Sequence, residues 1–154
     1  MNFLHTYPET IVDGEGIRYS IYFAGCPHRC IGCHNPESRN PEAGQKLTNA
    51  LLEDIINEIN SNPLLDGITL SGGDPFYNPA EMLQIVKRLK EETKQSIWCY
   101  TGFLYEDILN DPERKPLLQY IDILVDGPFI QAQYSPTLRF RGSKNQRIIE
   151  INKR

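Results

Sequence analysis

The chain has 154 residues, 40% of them hydrophobic and 23% charged, ordinary values for one soluble globular domain. A net charge of −4 argues against a nucleic-acid partner, because phosphate binding favours a basic face. No apolar run approaches the roughly 20 residues of a membrane span. "MNFLHTYPET" has no basic n-region or apolar core of a secretory signal, so a cytoplasmic protein with reduced thiols is expected.

In chain order, "IRYSIYFAG" (17–25) is β-branched and aromatic and ends in glycine, which predicts a strand. It runs into "CPHRCIGC" (26–33), where three of the four cysteines fall within eight residues. "TNALLEDIINEIN" predicts a helix capped by Thr48, with Leu51, Leu52, Ile55, Ile56 and Ile59 on one stripe. "GITLSGG" (67–73) predicts a short strand closed by paired glycines. "NPAEMLQIVKRLKEE" predicts a helix with Asn78 as cap, Pro79 in the first position and Glu81 closing a capping box. "SIWCYTG" and "IDILVDG" are two further strands, with a short helix in "FLYEDILND" between them. "RIIEIN" is one more strand near the end.

No repeat, low-complexity tract or linker divides the chain, so residues 1–154 are expected to form a single domain. Alternating strands and helices imply an α/β fold with parallel pairing. A closed eight-fold barrel takes about 250 residues, which leaves an open sheet or an incomplete (partial) β/α barrel. In either case sites belong at the carboxyl ends of the strands. The cysteine loop and "SGGD" both follow strands at that end.

Clustered cysteines in a reducing compartment indicate metal binding or catalysis rather than disulfides. A structural zinc site wants four ligands, and His28 or His34 could add a nitrogen to the three thiolates. A four-cysteine iron–sulfur cluster would need Cys99. Cys99 sits inside a predicted strand, where free cysteine acts as a small buried hydrophobe. The remaining reading is a cubane held by three cysteines with one iron open, as a catalytic metal site keeps a position for its substrate.

The spacing Cys26, Cys30, Cys33 after a first strand resembles the signature of the radical S-adenosylmethionine superfamily. "SGGDP" resembles its Gly-Gly-Glu motif, with Asp74 in place of the more usual glutamate. "DGEGIR" and "CHNPES" resemble the activases of glycyl-radical enzymes. "YTGF", "LVDGPF" and "RFRGSKNQRII" are similar to the activating proteins of anaerobic ribonucleoside-triphosphate reductase. The resemblance runs from about Tyr7 to Ile149.

This resemblance implies a [4Fe-4S] cluster on Cys26, Cys30 and Cys33, with S-adenosyl-L-methionine chelated by the fourth iron. It implies an oxidoreductase that cleaves this cofactor reductively and uses the 5′-deoxyadenosyl radical to make a glycyl radical on the large reductase subunit. Flavodoxin is an example of the electron donor expected. Gly72, Gly73 and Asp74 would bind the cofactor's amino group, the glycines by letting it approach the backbone. Gly32 stands where much of the superfamily carries an aromatic residue, so adenine contact falls to Gly32, Cys33 and His34. Arg139 and Arg141 are either solvated charges or contacts to partner or nucleotide. Asp13, Glu15 and Arg18 are equally open. Three alternatives remain: an activase of another glycyl-radical enzyme, a small-molecule radical enzyme such as a deazaguanine synthase, and a non-enzymatic zinc or electron-transfer module.

Overall fold

Helix α1 (Asn49–Asn60) begins where Thr48 turns extended and its hydroxyl accepts the Leu51 N–H. Leu52, Ile55, Ile56 and Ile59 recur at helical spacing and are its buried face. Helix α2 (Pro79–Thr93) has Asn78 accepting the Glu81 N–H, proline in its first turn, and a left-handed Lys94 as its stop. The Glu81 carboxylate departs from the expected capping box and pairs instead with the Met1 ammonium group. Helix α3 (Tyr105–Leu109) is a single short turn-and-a-half whose Tyr105 N–H donates to Asp126 at 2.8 Å. The computed structural model describes residues 1–28, 30–33 and 36–152.

The strands are β1 (Asn2–Thr10), β2 (Arg18–Phe23), β3 (Gln45–Lys46), β4 (Gly67–Gly72), β5 (Ser96–Tyr100), β6 (Ile123–Asp126) and β7 (Arg147–Glu150). They form one sheet in the order β3-β1-β2-β4-β5-β6-β7. The centre, β2-β4-β5-β6, is parallel. Both margins are antiparallel. The α/β expectation stands at this level: the sheet is mixed and open, with β3 and β7 as its edges. Strand β1 was not predicted. Its register breaks between Tyr7 and Thr10, around Pro8, which has no N–H to give.

Parallel register sets two faces. Tyr19, Ile68 and Ile97 stand side by side, as do Ile21, Leu70, Cys99 and Leu124. All seven belong to the apolar core shared with α1 and α2. The opposite face carries Arg18, Ser20, Thr69 and Trp98. Arg18 is buried there, and among the described residues no carboxylate pairs with it. It donates to the Thr69 hydroxyl at 2.9 Å and to the carbonyls of Ile68 and Ser96 at 2.9 and 3.1 Å. Burial lowers its pKa. Among the described residues no helix is long and apolar enough to cross a membrane.

Candidate metal centre

The segments that follow β2, β4, β5 and β6 converge on one open cavity of about 530 Å³, at the carboxyl ends of the parallel strands. Cys26, Cys30 and Cys33 all line it, and all three are free thiols. Their loop is tied at several points. The Cys33 N–H donates to the Cys30 carbonyl at 3.2 Å and closes a turn. A short 3-10 turn, Pro36–Arg39, then runs back beneath the loop. The Arg39 guanidinium donates to that same Cys30 carbonyl at 2.8 Å, while the Cys26 N–H donates to the Arg39 carbonyl at 3.3 Å.

The "SGGD" stretch is stitched to the start of this loop. The Gly73 N–H donates to the Phe23 carbonyl and the Asp74 N–H to the Gly25 carbonyl, each at 2.8 Å. A Cβ on Gly73 would lie 2.5 Å from the Gly25 carbonyl oxygen and 2.6 Å from that of Ser38. Gly72 has φ +103° and touches the β2 backbone as closely. The two glycines line the cavity and also let the two loops meet.

Asp74 lies beneath the cavity wall and is fully buried. Its carboxylate accepts from the Phe76 N–H at 2.9 Å, the Thr101 hydroxyl at 2.8 Å and the Gly102 N–H at 2.9 Å. His28 covers it, with Nε2 2.7 Å from Oδ2. The imidazole also stacks edge-on against Phe103, centroids 4.7 Å apart, and packs against Gly102. Sequence reasoning offered His28 only as a possible nitrogen ligand of a zinc site and gave Arg39 no role. Their signals are a histidine inside the cysteine motif and an arginine six residues after it.

Gly32 has φ +76°, is exposed, and packs against Gln131 rather than lining the cavity. His34, expected near the adenine, lies outside the described residues. Arg141 lines the cavity and donates to the Gln146 carbonyl at 3.0 Å, and its buried Nε has no hydrogen-bond partner among the described residues. Arg139 is exposed and lies 4.8 Å over the Phe140 ring. The Asp13 carboxylate lines the cavity and accepts from the Tyr22 hydroxyl at 2.7 Å. Glu15 stands outside the cavity, and its backbone carbonyl accepts from Arg18.

A cluster needs thiolates, and burial pushes the Cys26 thiol up to about 11. A metal must therefore displace its proton. Cys99 is fully buried on the helix-packed face of β5, and burial raises its thiol well above the ordinary value. It does not line the cavity, so the centre offers three cysteines and an open side.

Residues 12–149 match the family described as "4Fe-4S single cluster domain". The chain is 40% identical over 150 residues to the anaerobic ribonucleoside-triphosphate reductase-activating protein of Haemophilus influenzae, covering 95% of this chain and 96% of that protein. Identity is 37% to the protein of the same name from Escherichia coli K12, with the same coverage. It is 34% over 152 residues to that of Enterobacteria phage T4, covering 96% and 93%. The chain belongs to this family of reductase-activating proteins. Family membership accounts for the free, loop-borne thiols: a 4Fe-4S domain needs them reduced and together.

Proposed function

We propose that this chain is a radical S-adenosylmethionine activase that generates a glycyl radical on anaerobic ribonucleoside-triphosphate reductase. The observation that carries the reading is three free thiols, and no fourth, on a cavity open at the carboxyl ends of the strands. The relatives' shared name supports the target. When bound, a [4Fe-4S] cluster supplies the electron that splits S-adenosyl-L-methionine, whose 5′-deoxyadenosyl radical removes a hydrogen atom from the glycine.

The chain's own residues bind, orient and shield. Cys26, Cys30 and Cys33 would hold the cluster at the cavity and would leave one of its irons without a cysteine ligand. The backbone of Gly72 and Gly73, which lines the cavity at the end of β4, receives the cofactor's amino group. Asp74 ties the following turn to the end of β5 through Phe76, Thr101 and Gly102, and reaches the ligand itself only if His28 moves aside. Arg141, with an unpaired Nε on the wall, offers a donor to an anionic group. The adenine falls to the 32–34 stretch, of which Cys33 lines the cavity. The fold reads as an incomplete barrel in one domain of residues 1–154. Its setting is the cytoplasm, and a flavodoxin-type protein donates the electron.

The test is anaerobic reconstitution with iron and sulfide, then reductant, S-adenosylmethionine and the reductase from the same cell. A glycyl doublet in electron paramagnetic resonance, absent when the reductase glycine is changed to alanine, is expected. Catalytic conversion of a small molecule, with no doublet on any reductase, would replace this reading with a small-molecule radical enzyme.

A further inference from the structure

We infer that the cluster-free protein has a second metal state, a single divalent cation of the zinc and ferrous class held by Cys26, His28 and Asp74. The Sγ, imidazole nitrogen and carboxylate oxygen of these residues all lie within 4.8 Å of one another. Bond lengths to zinc place tetrahedral ligand atoms roughly 3.3–3.6 Å apart. The His28–Asp74 contact of 2.7 Å has to open by roughly 0.6–0.9 Å to reach that spacing, and the thiol has to close in.

The donor set is right for such an ion. A soft thiolate and a borderline imidazole beside one hard carboxylate suit zinc or ferrous iron over calcium or magnesium, which want all-oxygen sites. Three protein ligands leave a fourth position, which faces the cavity that Cys26 and His28 line.

The site is also built around its ligands. Asp74 is fully buried, and its orientation is fixed by donors from Phe76, Thr101 and Gly102. The His28 ring is held between Phe103 and Gly102. A Cβ on Gly102 would strike it at 2.4 Å, so the glycine is what makes room for the ring. Groups that orient metal ligands in this way commonly change affinity by about 10- to 100-fold when removed. Binding exchanges the Cys26 thiol proton for the cation. Cys30 and Cys33 take no part. One thiolate cannot serve both centres, so this state and the cluster exclude each other; only that clause rests on the proposed function.

The experiment uses the full chain carrying Cys30→Ser and Cys33→Ser, which leaves Cys26, His28 and Asp74 in place but cannot complete a three-cysteine cluster. Anaerobic titration with Co²⁺ should show one equivalent bound, with the ligand-field and sulfur charge-transfer absorption of a four-coordinate cobalt thiolate, displaced by Zn²⁺. Adding His28→Ala should weaken Co²⁺ by at least about ten-fold. His28→Gln is the companion if the alanine variant loses its circular dichroism. Absence of one-to-one binding, or binding unmoved by the His28 change in a folded protein, overturns the site. In the wild-type chain, Zn²⁺ loaded first should slow cluster assembly, and an unchanged rate overturns the exclusivity. A wild-type chain that never assembles a cluster would sink the proposed function and leave the cobalt result standing.

Discussion

Cys30 and Cys99 carry the same thiol into opposite surroundings, and that contrast is directly testable. Cys30 is half-buried on the cavity wall, whereas Cys99 is packed among Ile21, Leu70 and Leu124. Cys30→Ser should lose most of the iron after reconstitution with little change in unfolding. Cys99→Ser should keep its iron and lose about 1–3 kcal/mol of stability, because a hydroxyl enters an apolar site. Iron analysis with urea denaturation separates the two, and loss of iron in a folded Cys99→Ser would argue for a four-cysteine centre. Gly73→Ala tests the seam between the two loops. Its Cβ would meet the Gly25 and Ser38 carbonyls, which are backbone and cannot rotate away. Overpacking of this kind costs about 1–3 kcal/mol. Because Gly25 precedes Cys26, iron retention should fall along with the denaturation midpoint.

At the scale of elements, α2, β5 and β6 meet at one buried ion pair. The Lys90 Nζ of the last turn of α2 lies 2.5 Å from Asp122 Oδ2 and donates to the Gln95 carbonyl at 2.9 Å. The same Oδ2 accepts the Ile97 N–H of β5 at 2.8 Å. Lys90→Met removes this buried partner of the aspartate and should cost about 3–5 kcal/mol in chemical denaturation. Lys90→Met with Asp122→Asn should recover part of that, since the amide oxygen can still take the Ile97 N–H. Helices α1 and α2 were legible in sequence because their caps and apolar stripes are local. Strands β2, β4 and β5 were legible because their residues are β-branched or aromatic and glycine or proline punctuates the chain. Strand β1 was not: only Phe3 in it is buried, so it has no alternation to read. The cysteines announced the centre, but the His28–Asp74 contact spans 46 positions and only the closed fold brings it about. Asp74 looked like a ligand-facing acid for the same reason. Nothing local says that Thr101 and Gly102 claim its oxygens.

For the whole molecule, the open cavity cannot exclude water unaided, and its mouth is edged with bare apolar side chains. Ile31, between two cavity-lining cysteines, is 79% exposed. Ile11 and Val12, beside Asp13, are 71% and 70% exposed. Tyr134 on the opposite segment lines the cavity and is 49% exposed. Scattered apolar residues on a surface mean little, but several around one opening mark a contact. A reactive carbon radical has to be made out of water and beside its target, so the reductase that receives it is expected to close this mouth. Ile31→Glu puts a charge at the rim without touching a thiol or its hydrogen bonds. Iron content and slow cleavage of S-adenosylmethionine by the reduced protein alone should stay near wild type. The glycyl doublet on the reductase should fall by at least about ten-fold, the effect of roughly 1.4 kcal/mol on association. Val12→Asp, at an exposed residue of the cavity lining, should act in the same direction. A doublet undiminished in both variants, at reductase concentrations below saturation, would place the docking face elsewhere and leave another part of the chain to shield the radical.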